Sequence, residues 1–267
     1  RRGLDRRRRR KGVLIMVARN SGLADYALSV EELTVSFDGF KAVNNVSLYV
    51  KRNTFHVVIG PNGAGKTTLL DLICGKTKPT AGKIMFNDHD LTRLPEQRIV
   101  KVGVGRKFQT PSIYPELTVF ENLEVSYPKG RSVFGSVFFK RDSEVIDRIH
   151  ETAKAIFLEP LLDTSADLLS HGQKQWLEIG MLLIADPQLL LLDEPVAGMS
   201  VDERRKTAEL LRRICTNRSV LVIEHDMKFV RAIAHRVTVL NRGEFLAEGS
   251  MDEIENDPRV IEVYLGH

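Results

Sequence analysis

One nine-residue run constrains this chain more than any other: GPNGAGKTT, Gly60 to Thr68. It fits G-x-x-x-x-G-K-[ST] with Gly60, Gly65, Lys66 and Thr67 in register. The apolar stretch FHVVI lies directly before it and the apolar run beginning Leu69-Leu70 directly after, so it reads as a strand, a tight loop and a helix. Glycines let a backbone wrap a polyphosphate with successive N–H groups pointing inward, and the helix N-terminus adds partial positive charge. Lys66 would reach the outer phosphate oxygens and Thr67 a divalent cation, with Pro61, Asn62, Gly63, Ala64 and Thr68 completing the cradle. A chance glycine-rich turn would lack this flanking context.

The second constraint is LLLLDEP, residues 189–195. A continuously apolar run is a buried strand, and it delivers Asp193 at its C-terminal end, where open α/β sheets place ligands. Asp193 is the candidate for the Mg²⁺ shell. Glu194 is the candidate to orient or deprotonate an attacking water, which needs a carboxylate within one hydrogen bond of the reacting phosphate.

Charge excludes an attractive misreading. The 267 residues carry a net charge of +4, which on its face suggests a nucleic-acid binder. Residues 1–12, RRGLDRRRRRKG, hold 8 of the 39 Lys and Arg but one acid, leaving 31 basic against 34 acidic residues elsewhere. A backbone-tracking surface needs its positive charge on the folded body, so no nucleic-acid partner is expected. No apolar run approaches the 18 residues of a membrane span, and the basic start followed by VLIMVA lacks a small-residue cleavage site. Cys74 and Cys215 stand too far apart to form a metal or disulfide spacing and read as core filler in a reducing compartment.

Residues 1–26 show no sustained period and are expected to be a disordered basic lead-in, with Met16 an alternative start; residues 27–267 form the expected domain. ALSVEELTVSF and AVNNVSLYV alternate as half-buried antiparallel strands do. Helices are expected at 67–74 and 95–101, the latter with Pro95 in its first turn. From about 110 to 180 the character becomes helical. Thr118 with Glu121 reads as a capping box, and EVIDRIHETAKAIF puts Val145, Ile146, Ile149, Ala153, Ile156 and Phe157 on one face. Strands at 189–193 and 219–224 then alternate with helices at 202–215 and 226–234, and RVTVLNRGEFLAEG reads as a hairpin turned at Asn241-Arg242-Gly243.

Taken together, GPNGAGKTT, Lys107-Phe108-Gln109, LSHGQKQ at 169–175, LLLLDEP and VLVIEHD with His225 resemble the ordered motif set of ATP-binding subunits of ABC transporters over about residues 28–250. The resemblance implies an α/β fold, a P-loop ABC ATPase core with an antiparallel β subdomain and an inserted α-helical subdomain, that binds ATP and Mg²⁺. It also implies a head-to-tail pair with a second ABC ATPase subunit, in which Ser170, Gly172 and Gln173 complete the γ-phosphate site of the opposite subunit. Gln109 would sense the Mg²⁺ and water site, His225 would contact the γ-phosphate and hold Glu194, and Phe37 would stack on adenine, with Phe40 its competitor. Integral membrane permease subunits would be the direct partners, and a periplasmic or extracellular binding protein an indirect one. The chain would then work peripherally, at the cytoplasmic face of the cell membrane.

Two residues depart from the family pattern: His171 where glycine is common, and Ser200 where many relatives carry Asp at the subunit contact. AVNNVSL, EPVAGMS and EHDMKFV are similar to the branched-chain amino acid importers. LSHGQKQWLEIGMLL, GRKFQTPSIYPELTVFENLEV and RSVFGSVF are most like the urea-importer branch, so urea is the expected cargo and branched-chain amino acids the alternative. An ABC ATPase acting on ribosomes or DNA would favour two cassettes or a long coiled-coil insertion, and a non-hydrolysing regulatory subunit is disfavoured by Glu194 and His225.

Overall fold

The computed structural model describes residues 25–107, 113–128 and 143–265. Gln109 therefore lies outside the described residues, as does almost all of the arginine-rich lead-in. The first strand, β1 (Tyr26–Phe37), begins one residue inside the expected lead-in.

β1 pairs antiparallel with β2 (Phe40–Lys51) and with β4 (Ala81–Phe86), which pairs with the short β5 (His89–Asp90), giving a four-stranded sheet in the order β2-β1-β4-β5. The second sheet contains β3 (Phe55–Ile59), β6 (Val104–Lys107), β7 (Leu189–Asp193), β8 (Ser219–Ile223), β9 (Arg236–Asn241) and β10 (Glu244–Gly249). Its order is β10-β9-β3-β8-β7-β6, with all neighbours parallel except the β9–β10 hairpin. That hairpin turns on Arg242 and Gly243, both with positive φ, the two-residue geometry that suits the twist of paired strands.

The parallel strands are buried on both faces, and side-chain alternation divides them between two cores. Leu190 and Leu192 of β7 join Phe55, Val57, Trp176 and Leu211 in one cluster, whereas Leu189 and Leu191 join Val58, Leu70 and the β1–β2 residues in the other. This explains the unbroken leucine run, because each face of the sheet meets apolar residues.

Helix α1 (Lys66–Ile73) follows β3, and α2 (Glu96–Lys101) starts after Pro95, which is its N-cap and not its first-turn residue. In the 110–180 stretch lie α3 (Val119–Ser126), α4 (Ser143–Ala155) and the start of α5 (His171–Leu183). The Thr118–Glu121 capping box is formed in full. On α4, Val145, Ile149 and Ala153 are buried, and Ile156 packs with them just past its end; Ile146 is exposed, and Phe157 lies beyond the helix with φ 62°. Helices α6 (Val201–Ile214) and α7 (Met227–Ile233) complete the alternation. Two C-terminal helices, α8 (Met251–Glu255) and α9 (Pro258–Leu265), were not expected. Among the described residues no helix is long and apolar enough to cross a membrane.

Candidate functional site

Strands β3, β8 and β7 are neighbours and parallel, so their C-terminal ends open on one side of the sheet. β3 supplies the Gly60–Thr68 loop, β7 supplies Asp193 and Glu194, and β8 leads through Glu224 to His225. Three sequence-distant motifs are thereby brought to one edge.

The loop's glycines are required by close backbone approach. A methyl group at Gly60 would lie 2.2 Å from the Leu240 carbonyl oxygen, and one at Gly65 would lie 2.3 Å from that of Ala42. Gly65 also caps α1 at φ 91°, a left-handed conformation that side chains resist. Lys66 Nζ donates to the carbonyls of Gly60 at 2.8 Å and Pro61 at 3.0 Å, which holds its charge over the loop. Burial holds the Lys66 ammonium below its usual range, opposed by the charges of Glu194 and Asp193.

Asp193 is 1% exposed, and neither carboxylate oxygen completes a hydrogen bond within the protein. Burial raises its carboxyl above the usual range, opposed first by the facing Thr67 hydroxyl and then by Arg106. A buried carboxylate that faces a threonine hydroxyl without a completed hydrogen bond is a hard-oxygen donor set, and it fits Mg²⁺, which takes one or two protein ligands and keeps water or phosphate oxygens for the rest. Glu194 follows with φ 47°, its N–H fixed on the Ile223 carbonyl at 2.9 Å. Its Oε1 lies 3.5 Å from His225 Nδ1, and the imidazole is largely exposed.

Sequence reasoning gave Glu224 no role. It is 1% exposed; its Oε2 accepts from the N–H groups of His225 at 2.9 Å and Asp226 at 3.2 Å, and its Oε1 from Val196 N–H at 3.3 Å. One carboxylate thus ties the His225 loop to the segment behind Glu194. Burial raises its carboxyl, opposed by those backbone donors. The available signal was a charged residue ending an apolar strand beside the histidine. Tyr264 on α9 was missed for want of any signal. It is 39% exposed, and its phenol faces the Gly60 backbone N–H, which places the C-terminal helix beside the phosphate loop.

Ser170, Gly172 and Gln173 start α5. Ser170 Oγ accepts from Gln173 N–H at 3.2 Å, and Gln173 Oε1 accepts from Ser170 N–H at 2.8 Å, a complete capping box. A methyl group at Gly172 would lie 2.2 Å from Glu203 Oε1. His171 Nε2 lies 3.1 Å from the Ala197 carbonyl, which can only accept, so that nitrogen carries the proton. Ser200 is the N-cap of α6 with Glu203 in a second capping box, a local use for that departure from the family pattern. Phe37 and Phe40 close the β1–β2 hairpin at 49% and 69% exposure; both are available to a planar ligand.

Comparison with known proteins places this geometry. The ABC transporter family model matches residues 43–197, and a model described as branched-chain amino acid ATP-binding cassette transporter matches residues 246–267. The chain is 39% identical to the high-affinity branched-chain amino acid transport ATP-binding protein LivG of Salmonella typhimurium, over 90% of this chain and 97% of that protein. It is 36% identical to BraF of Pseudomonas aeruginosa, a protein of the same description, over the same shares. A nucleotide-free ATP-binding cassette from an ABC transporter superposes with a TM-score of 0.81 at 30% identity, covering 91% of this chain and all of that one. A dimeric cassette in a post-hydrolysis state bound to ADP and Pi superposes with a TM-score of 0.70 at 26% identity, covering 84% and 98%. The chain belongs to the ATP-hydrolysing, ATP-binding subunits of ABC transporters, in the branched-chain amino acid importer family.

Proposed function

We propose that the chain drives import of branched-chain, hydrophobic amino acids by hydrolysing ATP at a site completed by a second cassette. The observation that carries the hydrolytic half is the convergence of Lys66, Thr67, Asp193, Glu194 and His225 at three adjacent strand ends. Lys66 and the loop N–H groups bind the phosphates of ATP, and Phe37 or Phe40 stacks on the base. Thr67 and Asp193 hold Mg²⁺, which when bound neutralises charge developing on the phosphate oxygens. Glu194 takes the water proton, and His225, 3.5 Å away, holds that carboxylate and faces the γ-phosphate.

Ser170, Gly172 and Gln173 serve the partner cassette's γ-phosphate, a reading supported by the likeness to a dimeric cassette. ATP moves the pair between open and closed states only by its differential affinity for them, and permease subunits in the membrane take up that movement, with a binding protein delivering cargo on the far side. The cassette itself sits peripherally on the cytoplasmic face. Relatives described as branched-chain amino acid proteins, matched over nearly their whole length, favour amino acids over urea as cargo. The urea reading rests on the phrasing of segments such as LSHGQKQWLEIGMLL, none of which contacts cargo.

The test is ATP turnover by the purified chain with Mg²⁺. Glu194→Gln is expected to lower kcat by about 10²-fold or more while ATP binding stays within about twofold, since general-base removal costs that order. It is also expected to trap an ATP-dependent dimer. Unchanged turnover in Glu194→Gln would remove the assigned base.

A further inference from the structure

Beneath the described site lies an ion pair that the hydrolytic mechanism does not use. Lys107 is the last residue of β6, and its side chain is completely buried; its Nζ lies 3.3 Å from Glu178 Oε2, which is 5% exposed, on α5, a contact between charges and not a completed hydrogen bond. Such a pair is not kept for stability alone. Apolar residues of similar volume in its place are often neutral or better, because desolvating two charges offsets their attraction. A buried pair does supply direction. Apolar contacts between helix and sheet are non-directional and tolerate sliding, whereas two opposite charges in a dry contact fix one setting.

The placement of this pair gives the direction a use. Lys107 stands opposite Leu192 in the parallel β6–β7 register, so it borders the residue before Asp193. Glu178 lies eight residues along from Ser170, roughly 12 Å at the helical rise. The same helix is held at its first turn by His171 on the Ala197 carbonyl, and Ser170 Oγ lies 3.5 Å from Glu203 Oε1. Ala197 lies in the segment that follows Asp193 and Glu194, and Glu203 stands in the first turn of α6, where that segment ends. α5 is thus pinned at its tip to the segment after β7, and at its middle to the strand beside β7.

We propose that Lys107–Glu178 is a positioning pair: it sets α5 against the catalytic sheet so that Ser170 and Gly172 meet the partner cassette's ATP in register with this cassette's own Asp193 and Glu194. Neither side chain touches ATP. This inference rests on the reading of the chain as one of two cassettes closing on ATP.

The experiment compares the full chain with Glu178→Gln and with Lys107→Met/Glu178→Met. Each is measured for thermal midpoint, binding of a fluorescent ATP analogue, and kcat, KM and Hill coefficient of ATP hydrolysis. The double variant replaces both charges by flexible apolar chains of similar length. Glu178→Gln keeps the volume and leaves the Lys107 charge beside Asp193, so it separates the tie to α5 from electrostatic support of that carboxylate. In both variants analogue binding and KM are expected to stay within about twofold, while kcat falls about tenfold or more and the Hill coefficient drops toward 1. The double variant is expected to melt near the wild-type temperature; if it melts early, Glu178→Gln assayed below its own midpoint decides. A variant that binds the analogue and keeps kcat and cooperativity within twofold of wild type would reduce the pair to packing and overturn the proposal. Failure of the two-cassette reading is distinguishable, since wild type itself would then hydrolyse without cooperativity and Glu194→Gln would form no ATP-dependent dimer.

Discussion

His56 sits in the middle of β3, 1% exposed in an otherwise apolar strand, with Nε2 2.7 Å from Thr238 Oγ1. Burial lowers its pKa to about 4, against the raising effect of Glu248; Arg236 lowers it further. The unfolded chain takes up this proton as pH falls through 6.5, and the folded chain only near 4. The unfolded state therefore binds more protons in that window, and stability declines as pH falls from 6.5 to about 4, by about 3 kcal/mol for this one group. Melting curves of wild type and His56→Gln across that window should show a shallower loss in the variant; parallel slopes would contradict the assignment. Gly65→Ala makes a second expectation, since its methyl group would meet the Ala42 carbonyl at 2.3 Å from a left-handed backbone. Strain of about 1–3 kcal/mol should displace the loop, and titration with a fluorescent ATP analogue should show affinity reduced at least about tenfold. At this scale the site was legible where a residue type has few other uses in its context, as with Lys66, Thr67, Asp193 and Glu194. Glu224, just past an apolar strand, and Lys107, at the end of the strand VGRK, were not legible, because a charge in either place declares its partner only once Val196, His225 and Glu178 are brought beside it in space.

Of the reciprocal capping boxes, the sequence reading named the one at α3. Thr118 and Glu121 close a reciprocal box at α3, and Ser170 and Gln173 do the same at α5. Thr118→Ala should cost about 1 kcal/mol, a fall of about 2–4 °C in Tm for a domain of this size, with ATP turnover unchanged, because Thr118 stands outside the phosphate site. Loss of turnover in that variant would place α3 nearer the chemistry than the described contacts do. The apolar parallel strands β3, β7 and β8 were equally plain, as β7 needed two apolar faces and had them. α8 and α9 were missed because they are short and follow a hairpin that reads as an ending. Ser250 and Glu253 form the same box as the other caps and carried the overlooked signal for α8. The one-face reading of α4 failed at Ile146, which is exposed; Phe157 packs on the same core as Val145 and Ile149, but from beyond the end of the helix.

At the scale of the whole molecule, the fold follows from two sheets that share a phosphate loop. Gly65 packs on the Ala42 carbonyl of the antiparallel sheet and Gly60 on the Leu240 carbonyl of the parallel one, so the loop is clamped between both. The parallel sheet brings together the strand ends that lead to Thr67, Asp193 and His225, a layout that the order of the motifs along the sequence already implies. Cargo was not legible in the same way. Amino acid or urea would be bound by other subunits, so the motif segments that resemble the urea branch constrain the ATPase and not what it moves; 39% identity to LivG over 97% of that protein outweighs them. The central claim is that this cassette drives hydrophobic amino-acid uptake through Glu194. Its most direct test is uptake of labelled leucine and labelled urea by host cells lacking the gene, complemented with wild type or Glu194→Gln. Leucine uptake should be lost and restored by wild type only, with urea uptake unaffected. Loss confined to urea uptake, or full restoration by Glu194→Gln, would contradict the account.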